Sequence, residues 1–472
     1  MSGMLRLMAA AASLLLGACA TVSTDRVQQD IAQQVAERAA QPAWATGTPE
    51  DAAVQARVQT LLADGLERDE AIAVALVNNR ELRAQLARAG IARADLVQAG
   101  LLENPSFGFS LLDGDGGVER EYTVFQDFLG VFPRAARRNL ARHELERTRL
   151  EVAQHALTLI AEVKRSYYAL VADRQAIELY TQVIDATEAA AELASRQYRA
   201  GNLSLREQAL QQSFHAQSAL DAARAEARFG VDRERLNRLL GLWGDDTGWT
   251  LPDRLPAVPA TLPDAAVLER QAVSSRLDLA AERKGVETVN LALDYTRQTR
   301  WLSALGIGFT VKRDMDGSYA RGPELVLGLP LFDRGQGRIA RLESEVKQAE
   351  AHYAQRAIEV RAEVREAAVR ARVAHGAVEH YRSAVLPLAD RVVDETLKFY
   401  NGMLVGVYEL LTAKQSQVNA ARDYIAAWRD FWIAWADLEH AVGGDLPLPE
   451  QPDSSPAPVA EPAASEPSHG EH

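Results

Sequence analysis

At 472 residues the chain is too long for one ordinary compact domain, and its 47% hydrophobic and 25% charged content is that of a folding sequence. Only 6% of the residues are aromatic, while Ala, Leu, Glu, Arg and Gln fill long uninterrupted stretches, which is the composition of packed helices. The net charge of −13 argues against a nucleic-acid partner, because nothing neutralises a row of phosphates, and the single cysteine excludes an intrachain disulfide framework.

Residues 1–18 read as an export signal, with Arg6 as its positive start and Leu7–Leu16 as an apolar run too short to span a bilayer. The run ends in Leu16-Gly17-Ala18-Cys19, which resembles the bacterial lipobox. That resemblance implies that Cys19 is acylated and becomes the mature N-terminus, and that Ala20 permits passage to the outer membrane. Acyl chains contribute roughly 0.8 kcal/mol per buried CH₂, so this lipid is a firm anchor. It is the only non-protein group expected; no cofactor is. Residues 19–68 follow as an anchor and linker segment.

A repeat with a period of about 200 residues organises the rest. Tyr198-Arg199-Ala200-Gly201-Asn202-Leu203 recurs as Phe399-Tyr400-Asn401-Gly402-Met403-Leu404, and Phe132-Pro133-Arg134 recurs as Phe332-Asp333-Arg334. Residues 69–242 and 264–443 each read as helix, two short strands, a very long helix, a glycine turn and a helix. Residues 243–263, with Pro252, Pro256 and Pro259, read as a linker, and 444–472 as a disordered tail rich in Pro, Ala and Glu.

Within the first half, Phe107, Phe109 and Leu111 alternate with Ser106, Gly108 and Ser110. A second strand spans about Tyr122–Phe132; aligned on the repeat, its apolar face is Phe125, Leu129 and Val131, which brings Asp127 onto that face. From Arg134 to Ala200 there is neither Pro nor Gly, and apolar residues such as Leu157, Ile160, Val163 and Tyr167 recur at helical spacing. In the second half, Trp301–Lys312 places Leu305, Ile307, Phe309 and Val311 on one face. Leu325, Leu327, Leu329 and Leu331 alternate in the next strand, after a polar loop from Arg313 to Arg321. The long helix Arg338–Tyr400 carries a kink at Pro387. Helices of this length exceed any globular core and must lie side by side as coiled coils.

Short segments that are apolar on one side and small or polar on the other are the signature of a membrane barrel. Lipid tolerates no unpaired strand edge, and the smallest barrels need about eight strands. Four strands per chain therefore require an oligomer, of two chains or of three. The expected fold class is mainly α with a membrane β-barrel.

The chain resembles the TolC family of outer-membrane efflux channels. The likeness covers nearly all of the mature sequence: Asn78-Asn79-Arg80-Glu81-Leu82; Gln98-Ala99-Gly100-Leu101-Leu102-Glu103-Asn104-Pro105 ahead of the first strand; Leu329-Pro330-Leu331-Phe332-Asp333-Arg334-Gly335-Gln336 after the last; and the two glycine turns. The resemblance implies a homotrimer, a twelve-stranded barrel in outer-membrane lipid, and a coiled-coil tunnel across the periplasm. It also implies two partners, a periplasmic adaptor protein and an inner-membrane pump.

By the same resemblance, Gly201, Asn202 and Leu203 and Gly402, Met403 and Leu404 form tips where the adaptor docks. Glycine would supply the positive φ of each tight turn, and the leucine after it an exposed knob. The family often places an acid six residues after the glycine, lining a narrow periplasmic entrance. Glu207 fits; Tyr408 holds the second position, with Glu409 beside it.

No phosphate loop, dinucleotide turn, metal-ligand spacing or catalytic cluster is present in the sequence, so an enzyme is not expected. Trp428, Trp432 and Trp435 form one helical stripe for packing. The function expected is a passive exit duct for small toxic molecules. Heavy-metal efflux or type I protein secretion would keep the fold, whereas a poreless coiled-coil lipoprotein tether would not need the alternating strands.

Overall fold

The computed structural model describes residues 25–39, 51–63, 65–115, 117–127, 134–301 and 304–447. Cys19 and residues 448–472 lie outside the described residues. Helices α1 (Asp25–Ala39) and α2 (Asp51–Leu62) precede two passes through one pattern. The first pass is α3 (Arg68–Asn78), α4 (Arg80–Ala99), β1 (Ser106–Gly114), β2 (Gly117–Asp127), α5 (Arg134–Arg199) and α6 (Leu205–Leu240). The second is α7 (Ala265–Ser275), α8 (Leu277–Thr299), β3 (Ala304–Arg313), β4 (Tyr319–Gly328), α9 (Gln336–His380), a π-helical turn (Tyr381–Val385), α10 (Leu386–Asn401) and α11 (Val407–Val442).

With no Pro or Gly to interrupt it, α5 runs 66 residues, roughly 100 Å at helical rise. Its buried stripe includes Val152, Ala156, Val163, Tyr167 and Leu170, and it packs along α4, α6, α8 and α11. Alanines on that stripe let neighbouring helices approach closely. The expected partner helix is not continuous. Pro387 has no N–H to give the carbonyl four residues before it. The backbone answers with a π turn, in which the Leu386 N–H donates to the Tyr381 carbonyl, five residues back.

One docking interaction is made twice. The chain breaks its helix at Asn79 (ψ 121°) and at Arg276 (ψ 124°), and each break seats on the C-terminus of its half's last helix. In the first half, Asn78 Nδ2 donates to the carbonyls of Leu240 (3.0 Å) and Gly241 (2.8 Å), and Asn79 Nδ2 to that of Leu239 (2.9 Å). In the second, Ser275 Oγ donates to the Val442 carbonyl (2.7 Å) and Arg276 Nη1 to that of Ala441 (3.1 Å). These carbonyls are the orphan acceptors of a helix end. Gly241 must be glycine: its φ is +70°, and a Cβ there would lie 2.8 Å from the Asn78 carbonyl.

Arg276 is buried at the negative end of α11, and Asp278 and Glu363 balance its charge, each at 2.5 Å. Burial opposes ionisation of Asp278, but the Arg276 and Arg356 guanidiniums outweigh it and hold its pKa down to about 2. A second buried charge, Lys164 of α5, meets Glu439 and Asp445 at 2.7 Å each and so ties the end of the described chain to the long helix. The tryptophan stripe is a packing stripe. Trp432 and Trp435 are buried, and the indole N–H groups of Trp428 and Trp432 both donate to the Pro256 carbonyl, which pins the linker.

The four strands form one antiparallel sheet in the order β1-β2-β3-β4. Their bounds differ from those read in the sequence. β2 begins at Gly117 and ends at Asp127, and Leu129 and Val131 lie outside the described residues. β3 excludes Trp301, and β4 starts at Tyr319, so the polar loop shrinks to residues 314–318. Leu329 and Leu331 follow β4, which ends at Gly328, rather than belong to it. The face assigned to β2 is also corrected. Val124 pairs with Phe107 and Tyr122 with Phe109, so Val118, Tyr122 and Val124 share the apolar face, and Phe125 and Asp127 point the other way.

Phe125 explains the glycines opposite it. A Cβ on Gly306 would meet the Phe125 ring at 2.0 Å, and one on Gly308 would meet it at 3.2 Å, so the ring lies over bare backbone of β3. We expect Gly306→Val to destabilise the sheet by about 1–3 kcal/mol through overpacking, read as a lower thermal midpoint of the purified protein. Adding Phe125→Ala to Gly306→Val should restore part of that loss; a double variant less stable than either single one would contradict the ring-over-glycine packing.

Candidate functional site

The sheet sorts its side chains by face. From the helix end outward, the rows of one face read Leu305–Leu327, then Gln126–Ile307–Leu325, then Phe107–Val124–Phe309–Pro323, then Phe109–Tyr122–Val311–Arg321, and last Leu111–Arg120–Arg313–Tyr319. Most of these side chains are exposed in the single chain. Leu329, Leu331 and Phe332 continue the apolar surface toward the helices, where Trp301 is also exposed. An apolar band edged by Trp301 and Phe332 at one end and Tyr122 and Tyr319 at the other is what a lipid-facing barrel wall requires.

The opposite face carries Glu119, Glu121, Thr123, Thr310, Lys312 and Glu324 among its small residues. Thr123 and Thr310 share a hydrogen bond across the strands at 3.2 Å, and Lys312 pairs with Glu119 at 3.1 Å. Acids outnumber bases on this face. Among the described residues β1 and β4 are the outer strands of the sheet, and each has a ladder on one side only.

At the far end of the helices the two glycine turns differ. Gly201 has φ +76° and takes the left-handed conformation, as expected. In the second turn Gly402 has φ −78°, and Met403, at φ +58°, carries the left-handed step instead. Leu203 is half-buried, so it is not the exposed knob of the first turn; Leu205 is. In the second turn Met403 and Leu404 are exposed at 93% and 72%, two apolar side chains offered to solvent together.

Ser204 and Glu207 start α6 with a reciprocal cap. The Glu207 N–H donates to Ser204 Oγ (3.3 Å), while the Ser204 N–H and hydroxyl donate to Glu207 Oε2 (3.0 and 2.6 Å). Those hydrogen bonds hold the Glu207 carboxyl below its usual range. The structure also brings Glu207 and Tyr408 within electrostatic reach. The Tyr408 phenol is pushed up by burial and then by the Glu207 charge, and its hydroxyl makes no hydrogen bond among the described residues. Glu409 is exposed and folds back over its own turn, with Oε2 3.2 Å from where a Cβ of Gly406 would stand.

A cleft of about 540 Å³ between α5, α9 and α11 is lined by Thr158, Arg276, Asp278, Glu363, Asp437 and His440. Its carboxylates already have partners: Asp278 and Glu363 pair with Arg276, and Asp437 pairs with Arg165 at 2.7 Å. Among the described residues no group of three His, Cys, Asp or Glu could hold a metal ion, and no helix is long and apolar enough to cross a membrane.

No family model matches the chain. The cobalt-zinc-cadmium resistance protein CzcC of Cupriavidus metallidurans is 24% identical over 377 residues, which cover 76% of this chain and 86% of that protein. Among solved structures, the outer membrane protein VceC of Vibrio cholerae superposes with a TM-score of 0.66 at 17% identity, over 80% of this chain and 96% of that one. The CmeC outer membrane channel of Campylobacter jejuni gives 0.69 at 14% identity, over 83% and 88%. The chain thus has the fold of the TolC-type outer-membrane channels, as its motifs implied.

The unequal turns generate a prediction. Gly201→Ala forces an alanine into the left-handed region at a cost of roughly 1–2 kcal/mol, whereas Gly402→Ala should stay within about 0.5 kcal/mol. Hydrogen exchange reads the difference at the Gly201 and Asn202 amides, which close the helix end on the carbonyls of Tyr198 and Gln197. Equal acceleration at both turns would contradict it.

Proposed function

We propose that this chain is one subunit of an outer-membrane exit duct. Three copies would close twelve strands into a barrel and gather their long helices into a periplasmic tunnel. The observation that carries the reading is the sheet: apolar outward, polar inward, and bounded by two strands with a free side. In lipid such strands need partners, and further copies of the same sheet supply them. A poreless tether has no use for this arrangement. The exposed Met403, Leu404 and Leu205 support docking of a helical adaptor at the tips, and an inner-membrane pump would supply the energy.

The cargo reading is narrowed by the named relative. CzcC is a cobalt-zinc-cadmium resistance protein, and the inner face of this sheet carries more acids than bases. Both favour divalent metal cations over small toxic organic molecules or secreted protein, with selection made by the pump.

Purified protein in planar bilayers is expected to conduct as a detergent-resistant trimer, and its intact mass should show an acylated Cys19 as first residue. Leu327→Arg, on the outward face, should cost roughly 2–4 kcal/mol near the midplane and abolish assembly. A silent bilayer, or normal assembly of that variant, would refute the duct.

Glu207 belongs to the same reading. In a trimer its ionised carboxylate would recur as a ring of three at the narrow end and focus a negative potential there. Glu207→Gln is then expected to lower cation selectivity and weaken block by multivalent cations added from the periplasmic side. Unchanged recordings would leave Glu207 as a helix cap alone.

A further inference from the structure

The outward face of the sheet changes chemistry at its turn end. Arg120 and Arg313 are direct cross-strand partners, and Arg321, paired with Val311, lies diagonal to Arg313. Like charges so placed repel, and three exposed guanidiniums at the edge of an apolar wall are not a stable end in themselves. Arg313 has its guanidinium over the Tyr319 ring, 5.4 Å from the centroid, and none of the three makes an ion pair among the described residues.

Acids are close by but serve elsewhere. Lys312, which points to the other face, takes Glu119 and Asp314 at 3.1 Å each, and Asp316 accepts the Ser318 N–H at 2.9 Å. On the outward face of the described strands the one acid is Asp113, in the row beyond Arg120. The cluster therefore keeps a net positive charge and free donors, arranged in a triangle.

We propose that Arg120, Arg313 and Arg321 form a phosphate-binding cluster that seats the headgroup of a phosphorylated glycolipid in the outer leaflet. This rests on the barrel reading above, which places the turn end of the sheet outside the cell because the helices leave from the other end. Guanidinium forks match phosphate oxygens in charge and geometry. The acyl chains of the same lipid would lie against Phe109, Leu111 and Val311 in the rows at and below the cluster. Tyr122 and Tyr319 flank the site at the level where amphipathic rings sit between headgroup and hydrocarbon. A soluble anion would use the charges but gain nothing from the apolar rows, so a lipid is the better-matched occupant.

The test reconstitutes the full-length protein in phosphatidylcholine nanodiscs containing doubly phosphorylated lipid A, and measures by mass spectrometry the lipid A retained after detergent extraction. Wild type should retain it about tenfold more than the Arg120→Gln/Arg313→Gln/Arg321→Gln variant, and more than it retains dephosphorylated lipid A. Arg313→Gln alone, which removes the centre of the triangle, should fall between them, so that the result does not rest on a triple variant that assembles poorly. Equal retention by wild type and Arg313→Gln, retention independent of the phosphates, or displacement of lipid A by millimolar inorganic phosphate would each overturn the proposal. The duct reading is judged separately, by conductance of wild type in phosphatidylcholine alone: silence there ends that reading, whereas conduction with unselective lipid retention ends only this one.

Discussion

Everything long in this molecule depends on something short: the seating of a broken helix on the carbonyl end of a returning one. Asn78 and Asn79 do this at Leu239–Gly241, and Ser275 and Arg276 do it at Ala441–Val442. The contacts are local in geometry but join residues roughly 160 positions apart, so they fix where each hairpin of helices returns. Without them α6 and α11 would end in unsatisfied carbonyls beside a buried core. The two versions use different chemistry for one task. The first uses neutral amides, and the second uses a buried cation that then needs Asp278 and Glu363 around it.

The sheet hangs from this frame and obeys a different constraint. Its period of two sorts the side chains by face, apolar on one and mostly small or polar on the other. The glycines of β3 let Phe125 lie flat across the strand, so an aromatic residue occupies the polar face without reaching far from it. Leu112 and Val326 are further apolar side chains on that side, and both are exposed.

Much of this was readable in the residues, and the misses have physical causes. The absence of Pro and Gly from 134 to 199 determines the long helix, because nothing in it interrupts the backbone ladder. The alternation of Leu305 to Val311 determines β3 equally well. Alternation cannot say where a strand stops, however, so Leu329 and Leu331 looked like strand although β4 ends at Gly328. In β2 the outward phase Val118, Tyr122 and Val124 is interrupted by Arg120, and aligning the halves on Phe132 and Phe332 shifted it by one residue. At the turns the repeat marked the right places. The expectation that glycine takes the positive φ holds at Gly201 and fails at the second turn, where Met403 takes it and Gly402 does not. Asn78 and Asn79 stood out only as part of a motif shared with the family, and their docking role was not read from it. Two adjacent asparagines before a helix are a capping signal, and their partners lie too far along the chain for spacing to reveal.

The π turn at Tyr381–Val385 has a mechanical side. One hairpin hangs on α5, an unbroken rod; the other hangs on α9 and α10, joined where the ladder changes from four-residue to five-residue closure about twenty residues short of the turn. A rod and a jointed strut of similar length do not yield alike under the same sideways load. The second hairpin therefore carries within its shaft a point where the backbone closes over an extra residue, and the shaft of the first carries none.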